Sequence, residues 1–196
     1  VCYAVVSYQT AYLKCHYPSE YFASLMTSMM DNGSKIALYT ADLKREGIKV
    51  LPPSVNYSLS GFTPDGNNIR FGLMAVKNLG MGIIERLIKE REENGLYTSV
   101  YDFCLRNYSR EFNRKALEGL IKSGAMDGLN ENRRQMLYNI DGVMAAVDSE
   151  KRFSAEGQLN LFDEMGDAVK YEPQRVEEMP KEMLLALEKE EIGRAS

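Results

Sequence analysis

The chain has 196 residues, of which 44% are hydrophobic and 27% charged, and its formal net charge is −4. These values are ordinary for a soluble globular protein, and the length allows one domain with a tail or two small domains. No apolar run approaches the roughly 20 residues of a membrane-spanning helix, and no signal peptide is recognisable. Because the sequence opens on Val1 and not on Met, we expect an excised fragment of a longer protein. Its three widely separated cysteines favour a cytoplasmic protein.

The chain lacks the residues of a complete active site. Cys2, Cys15 and Cys104 are widely separated and form no C-x-x-C pair, which favours free thiols over disulfides or a zinc site. The single histidine, His16, precedes a Tyr-Pro pair and is more often structural than catalytic in such a setting. No G-x-x-x-x-G-K-S/T loop and no H-E-x-x-H motif occurs. We therefore predict no catalytic residue and no metal ligand.

The N-terminal part predicts three helices. Residues 1–30 divide into two helices near Pro18, because proline fits the first position of a helix, where its missing N–H costs nothing. Ser34 is placed to cap a third helix that runs through Glu46 and is followed by Gly47. An apolar stripe on the first helix predicts core packing and comprises Val5, Tyr8, Tyr12 and Leu13.

A small β element follows these helices. Residues 48–51 predict a short strand that a Pro-Pro pair ends. A turn at residues 64–67 then joins two strands in a hairpin that ends near Leu73. Beyond the β element, the pair Thr98 and Ser99 is placed to cap a further helix through Leu105.

Residues 69–140 organise the rest of the chain, beginning with a tight two-glycine turn. Apolar residues precede the turn, and apolar side chains recur at helical spacing after it, which is the pattern of a helix-hairpin-helix. Glycine tolerates positive φ and has no side chain that would hold another backbone away. The helix after the turn begins with N–H groups that can bind a phosphate. The candidate contacts with nucleic-acid backbone are Lys77, Leu79, Gly80, Met81 and Gly82.

A weaker second copy of the pattern follows. Residues 113–122 form a basic amphipathic helix, and residues 130–140 start another helix with two arginines in its first turns. The turn between them contains Gly124, Ala125 and Met126 and departs from the glycine-x-glycine pattern, which leaves its phosphate contact open. The candidate contacts in this copy are Arg114, Lys115, Lys122, Ser123, Gly124, Arg133 and Arg134.

The charge distribution agrees with nucleic-acid binding by the two units. Residues 1–68 carry no net charge, residues 69–140 carry +3 and residues 141–196 carry −7. The positive excess lies where phosphate neutralisation needs it, but it is modest, so we expect weak binding by this chain alone. The alternative interpretation is an ordinary helical scaffold, in which the glycines merely end and start helices.

The acidic C-terminal part contains one compact apolar group. A helix from Asn130 is expected to run to about Phe153 and to be broken at Gly157. The short apolar peptide at residues 158–162 follows this break. It either folds back onto its own domain or inserts into a partner's pocket, where each apolar side chain contributes about 1.5–3 kcal/mol. Residues 163–180 are expected to be a linker, and residues 181–191 one more amphipathic helix. The peptide consists of Gln158, Leu159, Asn160, Leu161 and Phe162.

Several short segments occur in an order shared with one protein family. They are SYQTAYLK at 7–14, HYP at 16–18, VLPP with VN at 50–56, IRFGL at 69–73, the stretch 113–127 and QLNLF at 158–162. In this order the segments resemble the alpha subunit of bacterial replicative DNA polymerase III, a C-family polymerase. QLNLF is similar to the internal pentapeptide with which that subunit binds the sliding clamp. The resemblance covers the chain to about Gly193.

The resemblance implies a separate function for each part of the chain. In this family the fingers contact the incoming nucleotide and primer-template, the tandem helix-hairpin-helix follows the duplex, and the pentapeptide binds the hydrophobic cleft of the clamp. The internal position of the pentapeptide resembles the form of the subunit that lacks a built-in proofreading domain. The Mg-binding aspartates of the family lie in the palm, upstream of Val1. The resemblance therefore implies no cofactor in this fragment.

We therefore predict a mostly α fold with a small β-hairpin element, in which a tandem helix-hairpin-helix domain is attached to a helical end-of-fingers segment. The expected divisions are residues 1–68 for the fingers, 69–140 for the DNA-binding domain, 141–179 for the clamp peptide and linker, and 180–196 for a helix leading to the next domain. The expected partners are double-stranded DNA, the sliding clamp and other polymerase III holoenzyme subunits, with no membrane.

The expected function is that of a non-catalytic segment of a DNA-directed DNA polymerase, a nucleotidyltransferase. The segment would bind duplex DNA without sequence specificity and tether the polymerase to the clamp during chromosomal DNA replication. The alternative is a module of a DNA-repair nuclease, ligase or glycosylase, since helix-hairpin-helix pairs occur there too. A nuclease or glycosylase needs a carboxylate cluster or a base-flipping pocket, and the sequence indicates neither.

Overall fold

The computed structural model describes residues 2–30, 32–109, 111–156 and 171–192, and in these ranges the fold is mostly α-helical with one small sheet. The predicted fold class is confirmed. None of the helices in these ranges has the length and apolar content to cross a bilayer. The elements are α1 (Cys2–His16), α2 (Pro18–Ser28), α3 (Gly33–Arg45), β1 (Val50–Leu51), β2 (Thr63–Asp65), β3 (Asn68–Arg70), α4 (Met81–Asn94), α5 (Val100–Arg106), α6 (Arg114–Lys122), α7 (Arg133–Tyr138), α8 (Ile140–Glu156) and α9 (Lys181–Ile192).

The first two helices meet where the sequence predicts, but they differ in burial. Helix α2 begins at Pro18, and its Phe22 and Met26 lie in the core. Within the part of the chain that the structure describes, α1 buries none of its side chains. Its apolar stripe is 45–70% exposed at Val5, Tyr8, Tyr12 and Leu13. The prediction that this stripe belongs to the core is therefore wrong for this chain.

Polar side chains cap the starts of four of the described helices, α3, α5, α6 and α7. The side chain of Ser99 accepts a hydrogen bond from a backbone N–H of α5, as predicted, and Asn113 does the same at α6. Helix α3 is capped by Asn32 and not by Ser34, because the helix already begins at Gly33. Each such cap satisfies an N–H group that has no partner inside the helix.

The predicted hairpin is confirmed and belongs to a sheet of three strands in the described ranges. The strand order is β1-β3-β2, with β1 parallel and β2 antiparallel to β3. Gly66, with φ +59, supplies the left-handed backbone of the tight turn. The sheet packs with α2 and α3 around a first core of Phe22, Ala23, Met26, Ile36, Leu43, Ile48, Val50, Phe62, Ile69 and Phe71.

Helices α4 to α8 surround a second core, and both hairpin units contribute side chains to it. Its fully buried members include Leu73, Ile84, Leu87, Phe103, Leu117, Leu120, Ile121 and Met126. Arg91 of α4 is buried beside this core and donates to the carbonyl oxygens of Val55 at 2.7 Å and Ser58 at 2.6 Å. Burial lowers the pKa of its guanidinium. The arginine thereby fixes the loop after β1 to the first hairpin unit.

The long helix predicted from Asn130 is interrupted at Asn139, which separates α7 from α8. The Asn139 side chain donates to the backbone carbonyls of Gln135 and Gln174 and accepts from the N–H of Gln174. An asparagine that bonds to backbone groups in this way competes with helical hydrogen bonding. Residues 171–180, expected to be a linker, are thus held against α7 and α8 by specific contacts.

The two hairpin units are in close contact at Gly119 of α6. A Cβ at this position would lie 2.7 Å from the carbonyl oxygen of Lys77, which precedes the first turn. No side chain fits at such a distance from backbone. The absence of a side chain at Gly119 therefore sets the spacing between the units.

Gly119→Ala is expected to lower the free energy of unfolding by about 1–3 kcal/mol, because overpacking outweighs the better helix propensity of alanine. Urea denaturation measures the change. Gly128→Ala is the matched control, since a Cβ at Gly128 meets no described atom within 4 Å. Equal stability of the two variants would contradict the close contact.

Candidate nucleic-acid interface

The first turn is exposed, and the helix after it starts without a side-chain cap among the described residues. A short 3₁₀ turn, Leu73–Ala75, lies before it where the pattern predicts a full helix. Gly80 is the N-terminal capping residue of α4, with φ −74 and ψ 154. The first N–H groups of a helix have no intrahelical acceptor. Those of Met81 and Gly82 belong to exposed residues and can donate to an anion.

Neither glycine of the first turn is required by a positive φ or by crowding inside the protein. Positive φ in this turn belongs to Asn78, at φ 60, and not to Gly80 or Gly82, so the expectation of positive φ at the glycines is wrong. A Cβ at Gly80 would meet no described atom within 4 Å. The protein itself therefore tolerates a side chain there. What the missing side chain permits is the close approach of a ligand.

Glu111 places a carboxylate beside the start of α4. Its Oε2 lies 3.4 Å from the position that a Cβ of Gly82 would take. A carboxylate is favourable at a helix N-terminus, and for the same reason it would compete with a phosphate there. The sequence does not indicate this contact, because Glu111 belongs to the segment between α5 and α6, far from the turn along the chain.

The other two predicted contacts of the first unit have different environments. Lys77 is exposed, and its Nζ donates to the backbone carbonyl of Glu190 in α9. Leu79 is 8% exposed and packs into the second core. The Leu79 side chain thus supports the turn from inside. Arg86, one helical turn after Gly82, adds an exposed cation that the sequence analysis did not single out.

The second turn is built around a buried arginine. Arg133 donates to the carboxylate of Asp127 at 2.6 and 2.7 Å and to Glu188 at 2.7 Å. Burial alone would lower the pKa of Arg133, but the hydrogen bonds to both carboxylates outweigh it and raise that pKa. Gly124 has φ +81, and a Cβ there would collide with the guanidinium. Ser123 is fully buried and donates to the carbonyl of Leu120.

The first backbone N–H groups of α7, the helix after the second turn, already have an acceptor. Those of Arg133 and Arg134 donate to the two carboxylate oxygens of Glu178, at 3.0 and 3.2 Å. Burial of Glu178 opposes ionisation, but hydrogen bonds from three backbone N–H groups hold its pKa below the ordinary value. A phosphate contact at this turn stays a prediction, and this arrangement does not favour it.

The remaining predicted contacts divide into paired and exposed side chains. Arg114 forms ion pairs with Glu118 and Asp141. The Nζ of Lys122 lies 3.9 Å from a carboxylate oxygen of Glu191. Lys115 and Arg134 are exposed. Across the described ranges, no three His, Cys, Asp or Glu side chains gather as they would around a metal ion.

The candidate clamp peptide, residues 158–162, lies outside the described residues. The structure describes the chain on both sides of it. Helix α8 extends to Glu156, and Tyr171 stacks on Tyr101 with ring centroids 5.5 Å apart and an interplanar angle of 10°. Both flanks of the peptide therefore belong to segments that pack on the hairpin domain.

Comparison with known proteins agrees with the hairpin pattern and with the resemblance noted in the sequence. The helix-hairpin-helix motif family matches residues 47–136. DNA polymerase III subunit alpha of Saccharopolyspora erythraea is 41% identical over 97% of this chain, that of Bacillus subtilis 39% over 98%, and that of Escherichia coli K12 35% over 97%. The chain spans 17% of the length of each of these relatives. It belongs, as a segment, to the family of bacterial DNA polymerase III alpha subunits.

Proposed function

We propose that this chain is the part of a replicative DNA-directed DNA polymerase that binds duplex DNA without sequence specificity and tethers the enzyme to its sliding clamp. Nucleotidyl transfer and its Mg ions belong to parts of the polymerase outside this segment. The relatives favour this function over a repair nuclease, ligase or glycosylase, since they are polymerase alpha subunits.

The exposed N-terminus of α4 carries the DNA-binding proposal. It offers backbone N–H groups at Met81 and Gly82, next to a glycine whose missing side chain lets another backbone approach. Backbone amides recognise phosphate oxygens, which are the same at every base pair. Arg86 of the same helix, with the exposed Lys115 and Arg134, adds positive charge. Such a surface binds DNA of any sequence.

The clamp tether explains why a weak DNA contact suffices. The net charge of residues 69–140 is +3, so phosphate contacts are few. A bound clamp that encircles the same duplex keeps the DNA at a high effective concentration without any new contact. The peptide at 158–162 is the proposed link, and its apolar side chains would fill the hydrophobic cleft of the clamp.

Binding of the chain to a duplex is expected to involve roughly 2–4 phosphates, which gives a log–log salt slope of about −2 to −4. Gly80→Val is expected to weaken binding about tenfold for two unrelated duplexes alike, because the side chain holds phosphates away from the amides. Fluorescence anisotropy measures the affinity. Gly33→Val is the control, as a Cβ at Gly33 also meets no described atom within 4 Å. A salt-independent affinity, or an unchanged one in Gly80→Val, would refute the amide contact.

Glu111→Gln is expected to strengthen duplex binding about 2- to 5-fold, because it removes a negative charge at the start of α4. The control is Glu46→Gln, which makes the same change in net charge at an exposed position after α3. If both variants bind DNA equally well, only the total charge matters, and the phosphate does not bind beside Glu111.

Leu161→Ala combined with Phe162→Ala is expected to weaken binding to the sliding clamp by more than about 100-fold, since buried apolar anchors dominate such peptide contacts. Surface plasmon resonance with immobilised clamp measures this loss. The melting temperature and the DNA affinity are expected to stay unchanged. If the double variant binds the clamp as tightly as the wild type, the proposed tether is refuted. A lowered melting temperature would indicate that the peptide packs on its own domain.

A further inference from the structure

Helix α9 lies across the hairpin domain and contacts three side chains that were predicted to bind DNA. Glu188 accepts from Arg133 at 2.7 Å, and Glu191 lies 3.9 Å from the Nζ of Lys122. The backbone carbonyl of Glu190 accepts from Lys77. These contacts join the acidic end of the chain to both hairpin units. A phosphate that approached the same cations would meet carboxylates of α9 in its place.

Ion pairs and partly buried apolar side chains together hold α9 in position, and Ile192 packs against both cores. In the described structure Glu191 is the one buried residue of the helix, and Met183 remains 53% exposed. The Oε2 atom of Glu191 is buried without a hydrogen-bond partner among the described residues, which weakens the packing of the helix. Because part of this attachment consists of ion pairs, a competing polyanion releases α9 more easily than it would release a helix that seals an apolar core.

The segment before α9 keeps the helix next to its binding surface. Neutral hydrogen bonds join the Gln174 backbone to Asn139 and the Val176 carbonyl to Asn132. These bonds do not involve the cationic side chains that α9 contacts, whereas Glu178, closer to the helix, accepts from the backbone N–H groups of Arg133 and Arg134. The neutral bonds therefore allow α9 to leave and return while residues 171–176 stay bound, so the competition with DNA is intramolecular.

We propose that α9 is an internal competitor of DNA: docked, it occupies Lys77, Lys122 and Arg133, and a duplex displaces it to reach them. This inference rests on the proposed DNA binding by the hairpin domain. Because the two occupants exclude each other, whatever loosens α9 strengthens DNA binding, and bound DNA loosens α9 to the same degree. The acidic helix thereby sets how tightly the domain binds a duplex.

The test uses the full 196-residue chain and removes two carboxylates that face the cations. Glu188→Gln with Glu191→Gln is expected to tighten duplex binding about 5-fold or more. Glu177→Gln with Glu182→Gln is the matched control, because it makes the same charge change with exposed side chains in and just before the same helix. The control pair is expected to change the affinity less than about twofold. Fluorescence anisotropy at one low salt concentration compares the three proteins.

Hydrogen–deuterium exchange on the unmodified chain is the second measurement, and it does not depend on the folding of a variant. Amides of α9 are expected to exchange faster when a duplex is bound, whereas those of α5 are expected to keep their rates. Unchanged exchange in α9, or equal affinities of the two glutamine pairs, would overturn the competition while leaving DNA binding in place. If no protein in the series binds a duplex at low salt, the proposed function fails, and the competition fails with it.

Discussion

The buried guanidinium of Arg133 joins the second turn to the C-terminal helix α9. It bonds to Asp127 within the second turn and to Glu188 of α9, and its volume requires a residue without Cβ at Gly124. A buried cation is stable only when carboxylates and hydrogen bonds replace water around it. The turn, the glycine and the C-terminal helix thus form one arrangement. Removal of either carboxylate changes the environment of the same charge.

This constraint makes the two hairpin units unequal. In the first unit the start of α4 is exposed, and Gly80 faces open space. In the second unit the corresponding N–H groups bond to Glu178, and the glycine faces an internal arginine. The helix start of the first unit is therefore open to an external ligand, whereas that of the second unit binds a carboxylate of the same chain.

Local chemistry made much of the fold predictable. Pro18, Gly66 and Ser99 mark a helix start, a tight turn and a cap through interactions within a few residues. The exposure of α1 was not predictable, because an apolar stripe indicates that a helix needs a partner and not that the partner is present. The site was less predictable than the fold. Glu111 and Glu178 reach the helix starts from distant parts of the chain, and a charge count by segment carries no information about such pairs.

The basic and acidic parts of the sequence are not independent in the structure, because α9 pairs with cations of the hairpin domain. The +3 of residues 69–140 and the −7 of residues 141–196 suggest independent basic and acidic regions. In the structure they partly neutralise each other at Lys122 and Arg133. Weak DNA binding would then follow from cations that are already occupied as well as from cations that are few. The unpaired oxygen of Glu191 fits this view, since a helix selected only for tight packing would have an apolar side chain at that position.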